Sequence, residues 1–139
     1  MSNFYTDVKD FHIAFGQRVG ENPELPDDLN ERNLRYNLLK EEFEEYEKAE
    51  SDNDLTEIAD ALADIIYIAC GTAVSYGIPL DKVFAEVHRS NMAKLVDGKP
   101  LYREDGKVMK PAGWTPPDVE GVLKKSHEDF ICRNTQITL

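Results

Sequence analysis

Residues 55–76 read as a helix that is apolar on nearly every side, with Ile58, Leu62, Ile65, Ile66, Ile68 and Val74 distributed around its circumference. A helix of this kind needs cover on all faces, which predicts the centre of an all-α bundle. Its only charges are Glu57, Asp60 and Asp64, and no Lys or Arg occurs between Lys48 and Lys82. Carboxylates placed on a buried helix are costly unless they are paired, hydrogen-bonded or bound to metal. This segment therefore constrains both the fold and the chemistry.

The remaining helices follow from periodicity and caps. Phe4, Val8, Phe11, Phe15 and Val19 recur at helical spacing and predict a first helix over residues 3–19. Asn22-Pro23 and Pro26-Asp27-Asp28 mark a loop. Asp28 or Asn30 can cap a second helix reaching residue 50, with Leu34, Leu38, Leu39, Phe43 and Tyr46 as its apolar stripe. Asp54 and Glu57 resemble a capping box at the start of the central helix, and Gly77 suits its C-terminus. Pro79 opens a fourth helix over residues 80–95, with Val83, Phe84, Val87 and Met92 inward. Asp97-Gly98 and Asp105-Gly106 are turn signals that predict an ordered loop or small hairpin over residues 96–110. A short helix is expected over 118–125. The expected organisation is one domain, residues 1–125, followed by a tail, residues 126–139.

Charge excludes one class of partner. The net charge is −11, and a nucleic-acid backbone would be repelled by it. The imbalance is local: ten acids and one base, Lys48, lie between Glu41 and Asp60. Cys70 and Cys132 show no motif spacing and read as reduced thiols of a cytoplasmic protein. The start of the chain is polar, without the apolar stretch of a secretory signal. The apolar run near residues 65–74 reads as too short and too acid-flanked for a membrane span.

The acids are ordered. Glu42 and Glu45 share a face of the second helix, with Glu41 beside them. Glu57 and Asp60 repeat that spacing on the third, and Asp64 extends the stripe by one turn. A short turn joins the two helices, so they are expected to pack antiparallel with the pairs facing each other. Oxygen-only ligands suit a hard cation, Mg²⁺ or Mn²⁺. Other metals fit poorly. A di-iron bundle uses Glu-x-x-His, whereas Lys9, Ala85 and Lys124 precede His12, His88 and His127 by three. A calcium loop starting at Asp52 would need Gly and Glu where Glu57 and Ala63 stand.

Glu41-Glu42-Phe43-Glu44-Glu45 followed by Glu57-Ile58-Ala59-Asp60 resembles the EExxE…ExxD signature of the MazG-like and phosphoribosyl-ATP pyrophosphohydrolase-like superfamily. Ser90-Asn91-Met92-Ala93-Lys94 and the segment 105–111 resemble that superfamily's C-terminal phosphate-binding stretch. The resemblance extends over about residues 3–123. It implies a four-helix-bundle-like all-α fold assembled as a homodimer or homotetramer. The implied reaction is hydrolysis of the α–β bond of a nucleoside triphosphate to a monophosphate and pyrophosphate. By the same resemblance Glu42, Glu45, Glu57 and Asp60 match the Mg²⁺ ligands. Glu41 matches a further glutamate that contacts a second metal or takes the proton of the water, and Asp64 extends the set.

Lys94, Lys107 and Lys110, with Asn91, are candidate donors to the phosphates. His12, Tyr67 and Trp114 are candidate contacts for the nucleotide, whereas Phe11 and Phe15 read as core and Arg89 as a surface charge. Two further readings stand beside the leading one. Phosphoribosyl-ATP is an alternative substrate. A non-enzymatic acidic helical module, or nucleic-acid mimic, is the alternative from another class, and it would keep its acids exposed and scattered.

Overall fold

The computed structural model describes residues 3–137, which form five α-helices and, among these residues, no strand. The all-α expectation is met. Two compact units are present, Met1–Leu80 and Asp81–Leu139, where one domain and a tail were expected.

The first unit contains α1 (Phe4–Ala14), α2 (Leu29–Ser51) and α3 (Leu55–Tyr76). Each begins at a side-chain cap. The Asn3 carboxamide accepts from the amides of Tyr5 and Thr6, Asp28 from Asn30, and Asp54 from Glu57. α3 ends at Gly77, which takes the left-handed conformation at φ 68°. α1 stops five residues short of expectation. Gly16 at φ 67° turns the chain, and residues 17–24 then cross the end of α3. The amide of Gly20 donates to Val74 O at 2.8 Å, that of Glu24 donates to Tyr76 O at 3.0 Å, and Arg18 Nε donates to Ser75 O at 3.0 Å. A longer α1 would take these donors away from the end of α3.

α3 packs against both α1 and α2. Val8, Cys70 and Val74 form the core, with Tyr5, Val19 and Leu80 against them. The apolar stripe expected on α1 turns instead: Phe15 is 68% exposed while His12 is 2% exposed. α3 is covered on only part of its circumference. Leu62, Ile66 and Tyr67 remain exposed, because two neighbouring helices cannot enclose a third. By length and composition alone α3 is the one helix, among the described residues, able to cross a membrane; a core helix passes the same test.

The second unit carries most of α4 (Leu80–Met92) and all of α5 (Val119–Ile137). Phe84 and Met92, expected inward, are exposed, and Ser90 is the buried position of α4. Two isolated antiparallel bridges, Val96–Lys99 and Tyr102–Val108, occupy the expected hairpin region. Asp97 and Gly98 both have positive φ, as a two-residue hairpin turn demands. α5 is the clearest departure. It continues through residue 126 to Ile137, where a tail was expected. Val119, Val122, Leu123, Ser126 and Phe130 are its half-buried stripe, and the serine interrupts the apolar pattern that would have revealed it.

Candidate metal centre

Along α2, Arg35, Leu38, Glu42, Glu45 and Ala49 repeat with a spacing of three and four; along α3, Ala61, Asp64, Ile68, Gly71 and Ser75 do the same. These are the two sides of one antiparallel seam. Arg35 bonds to Ile68 and Thr72 at one end of it. Glu45, Ala49, Glu57, Asp60 and Ala61 line a common cavity of about 370 Å³ at the other.

Between these ends, carboxylate oxygens of Glu42, Glu45 and Asp64 all lie within 4.8 Å of one another. Octahedral ligands about 2.1 Å from an ion are separated by about 3.0 Å (cis) or about 4.2 Å (trans), so small side-chain adjustments bring these three onto one cation. Glu42 Oε2 is buried without a hydrogen-bond partner. Burial, then the charges of Glu45 and Asp64, push the Glu42 carboxyl above the usual carboxylate range. Asp64 rises too, from burial first and then from Asp60 and Glu45. An orphaned oxygen and converging acids, with the seam's one base, Arg35, bonded to Thr72 and Ile68 instead, are what a cation would satisfy, so the residues present fit Mg²⁺ or Mn²⁺.

The expected ligand quartet is distributed over two adjoining places. Glu42 and Glu45 meet Asp64, one turn deeper in α3 than Asp60. Glu57 and Asp60 are exposed and line the adjoining cavity, which shares Glu45 and also includes Lys48, Asp52 and Asp54. Lys48 is the single base there, and its ammonium is engaged by Asp52. Glu41 is exposed and off the seam.

His12 is buried within the first unit. Its Nδ1 donates to Arg18 O at 2.9 Å from a buried position, which makes it an interior anchor of the first unit. Tyr67 makes an edge contact with Phe11 at 5.6 Å between centroids, and Phe11 stacks on Phe15 at 4.3 Å. Phe15 and Tyr67 are exposed, so Phe15, read as core, joins the aromatic surface that sequence reasoning sought elsewhere. The sequence reading also passed over Arg35; its position in the same heptad-like spacing as Glu42 was the available signal.

In the second unit, Trp114 Nε1 donates to Ser90 O at 2.8 Å, and the ammonium groups of Lys94 and Lys110 lie 5.4 and 4.9 Å from the ring centroid. Lys94 also donates to Asn91 Oδ1 at 2.9 Å. Four of the expected phosphate and nucleotide contacts thus form one cluster. Lys107 is exposed, and its backbone amide donates to Asp105 Oδ1 at 3.1 Å.

The family model described as phosphoribosyl-ATP pyrophosphohydrolase matches residues 8–91. The chain belongs to this family. The matched region includes the whole acidic seam and ends at Asn91, so Lys94, Lys107, Lys110 and Trp114 lie outside it. A protein of Acanthamoeba polyphaga mimivirus, described as uncharacterized, is 35% identical over 86 residues, 55% of this chain. The chain spans about a third of that relative's length, the alignment covering 32% of it.

Proposed function

We propose that the chain is a nucleotide pyrophosphohydrolase that splits the α–β phosphoanhydride bond of nucleoside triphosphates, ribo or deoxy, and purine nucleotides foremost. The observation that carries this is the convergence of Glu42, Glu45 and Asp64, with an unpartnered buried oxygen, within the region matched to a pyrophosphohydrolase family. In the reaction, water forms a bond to the α-phosphorus, the bond from that phosphorus to the bridging oxygen breaks, and pyrophosphate leaves.

Glu42, Glu45 and Asp64 would hold the Mg²⁺ or Mn²⁺, with Glu57 and Asp60 extending the ligand set into the adjoining cavity. When bound, such a cation supplies charge neutralisation and Lewis acidity at a phosphate that the bare acids would repel. Glu41, exposed and beside Glu42, would accept the proton of the attacking water at a carboxylate oxygen. Asn91, Lys94, Lys107, Lys110 and Trp114 are proposed as phosphate and nucleotide contacts, by the chemistry of their donors. Exposed Phe15 and Tyr67 offer ring faces to a base. His12, by its burial, is assigned a supporting role.

A second reading has its own support: the matched family is described by phosphoribosyl-ATP, which makes that compound an alternative substrate. An acidic mimic is disfavoured by acids that converge on a buried oxygen rather than scatter over the surface. The chain is further proposed to act as a homodimer or homotetramer. Tyr36, Leu39, Phe43 and Ile65 line an apolar groove whose aromatics are exposed in a single chain. Two free cysteines fit a reducing, cytoplasmic setting.

The test is pyrophosphate release from a panel of NTPs, dNTPs and phosphoribosyl-ATP, with and without chelator. Metal-dependent turnover of triphosphates is expected. Turnover of phosphoribosyl-ATP alone selects the second reading, and turnover of none rejects both. Light scattering after size exclusion reads the oligomeric state.

A further inference from the structure

Arg35 lies on the α2 seam two turns before Glu42, and it is buried. Its Nε donates to Thr72 Oγ1 at 3.1 Å and its Nη2 to Ile68 O at 2.9 Å. Both partners are on α3, and Ile68 stands one turn beyond Asp64 on the same seam. The guanidinium occupies a notch at Gly71. A Cβ there would come within 2.3 Å of Arg35 Nη2 and 3.2 Å of His12 Nε2. A glycine inside a helix is unfavourable by itself, so the notch exists for what passes through it.

For stability alone the site invites an apolar side chain, since replacing buried charge with apolar groups of similar volume is often neutral or stabilising. What an apolar residue lacks is direction. Two bonds to fixed acceptors on α3 set both the rise and the rotation of α2 against it. The next layer of the seam needs that control. Glu42, Glu45 and Asp64 repel one another, so nothing in their own charges holds them at a common distance. A slip of one residue along α3 would swing Asp64 by about 100° around the helix axis.

We infer that Arg35 is a positioning residue for cation binding: through Ile68 and Thr72 it sets the helix register that brings Glu42 and Glu45 onto Asp64. This rests on the reading that those carboxylates hold a divalent cation.

Binding of Mn²⁺ to the full chain, followed by the electron paramagnetic resonance signal of the free ion, tests it at a temperature where circular dichroism shows each variant folded. R35M is expected to weaken Mn²⁺ binding by about tenfold or more, the scale of a lost ligand-orienting contact. Thr72→Val, which keeps the charge and volume but removes one acceptor, should weaken it severalfold, and R35K should fall between wild type and R35M. Removing a positive charge would by itself tighten a cation site, so weakening by R35M has the opposite sign to a charge effect. Val74→Ala, a core truncation away from the seam, should lower the melting temperature yet keep the wild-type Mn²⁺ affinity.

Wild-type affinity in R35M and Thr72→Val, or equal weakening in Val74→Ala, overturns the inference and leaves the metal centre standing. If R35M does not fold, Thr72→Val and R35K decide in the same way. No Mn²⁺ binding by the wild type rejects the metal centre itself, and the inference with it.

Discussion

The α2–α3 hairpin and the second unit use the same acidic side chains in opposite ways. In the second unit four acids have counter-ions. Arg89 donates to both oxygens of Glu86 at 2.9 and 2.7 Å, Arg103 pairs with Asp105, Lys124 with Glu120, and Lys125 with Asp129. On the hairpin seam Glu42 and Asp64 face other carboxylates. Their proton affinities diverge accordingly. Hydrogen bonds from Arg89 and the Asp118 amide hold Glu86 down at about 2, and Arg103 with the Lys107 amide lowers Asp105. Burial and like charge raise Glu42 and Asp64. Locally neutralised charge is scaffolding. Converging charge without a counter-ion is a place that a cation from outside can satisfy.

The largest effect that can break this contrast is loss of a seam acid. Glu42→Gln and Asp64→Asn should each lower metal-dependent pyrophosphate release by about 100-fold or more, beyond what the loss of a merely supporting contact causes, and should erase the rise in melting temperature on adding Mn²⁺. Asp105→Asn should leave Mn²⁺ affinity at the wild-type value. Comparable loss in all three variants would erase the distinction between the regions.

Next comes the backbone. Gly77 in the first unit and Gly98 in the second both have positive φ. A Cβ on Gly77 would approach Asn22 O within 2.4 Å, whereas one on Gly98 meets nothing within 4 Å. Gly77→Ala should therefore cost about 2–3 kcal/mol, strain plus collision, and Gly98→Ala about 1 kcal/mol, strain alone. Urea denaturation monitored by circular dichroism measures both.

A third prediction concerns the metal-free protein. A carboxyl whose pKa is raised on folding contributes stability below its unfolded value and loses that contribution as pH rises through its folded value. In chelator, wild type should lose stability as pH rises from the ordinary carboxylate range toward neutrality. Asp64→Asn should then melt a few degrees higher than wild type at pH 7. An unchanged or lower melting temperature would mean the acids are relaxed without metal.

The smallest effect is local and opposite in sign. A depressed acid contributes stability above its unfolded value and loses it as pH falls through its folded one. The tie between Glu86 and the Asp118 amide, which anchors the residue before α5, should persist until pH approaches about 2. The Asp118 amide resonance in an NMR titration should shift with that midpoint; a midpoint near 4.5, the ordinary value for a glutamate, would remove the contrast with Glu42.

Much of the first unit was legible because its signals are local. Asp28, Asp54 and Gly77 act on backbone groups within a few residues, so they mark helix ends without reference to the rest of the chain. The same holds for the Asp97-Gly98 turn. Spacing placed Glu42 with Glu45, and Asp60 with Asp64, on their helices. Less legible was the length of α5, whose apolar stripe is broken by Ser126, and the end of α1, which is decided by donors that loop residues 17–24 bring to α3.

What the order of residues determined alone was the set of elements and the unbalanced charge they carry, since caps, turns and helical periodicity depend on near neighbours. Only the tertiary structure decided which acids meet. Spacing along one helix says nothing about register against another, and register set Asp64, rather than Glu57 or Asp60, opposite Glu42. It also turned His12 inward and left Phe15 outside, because burial depends on which neighbours a helix finds, and not on the helix itself.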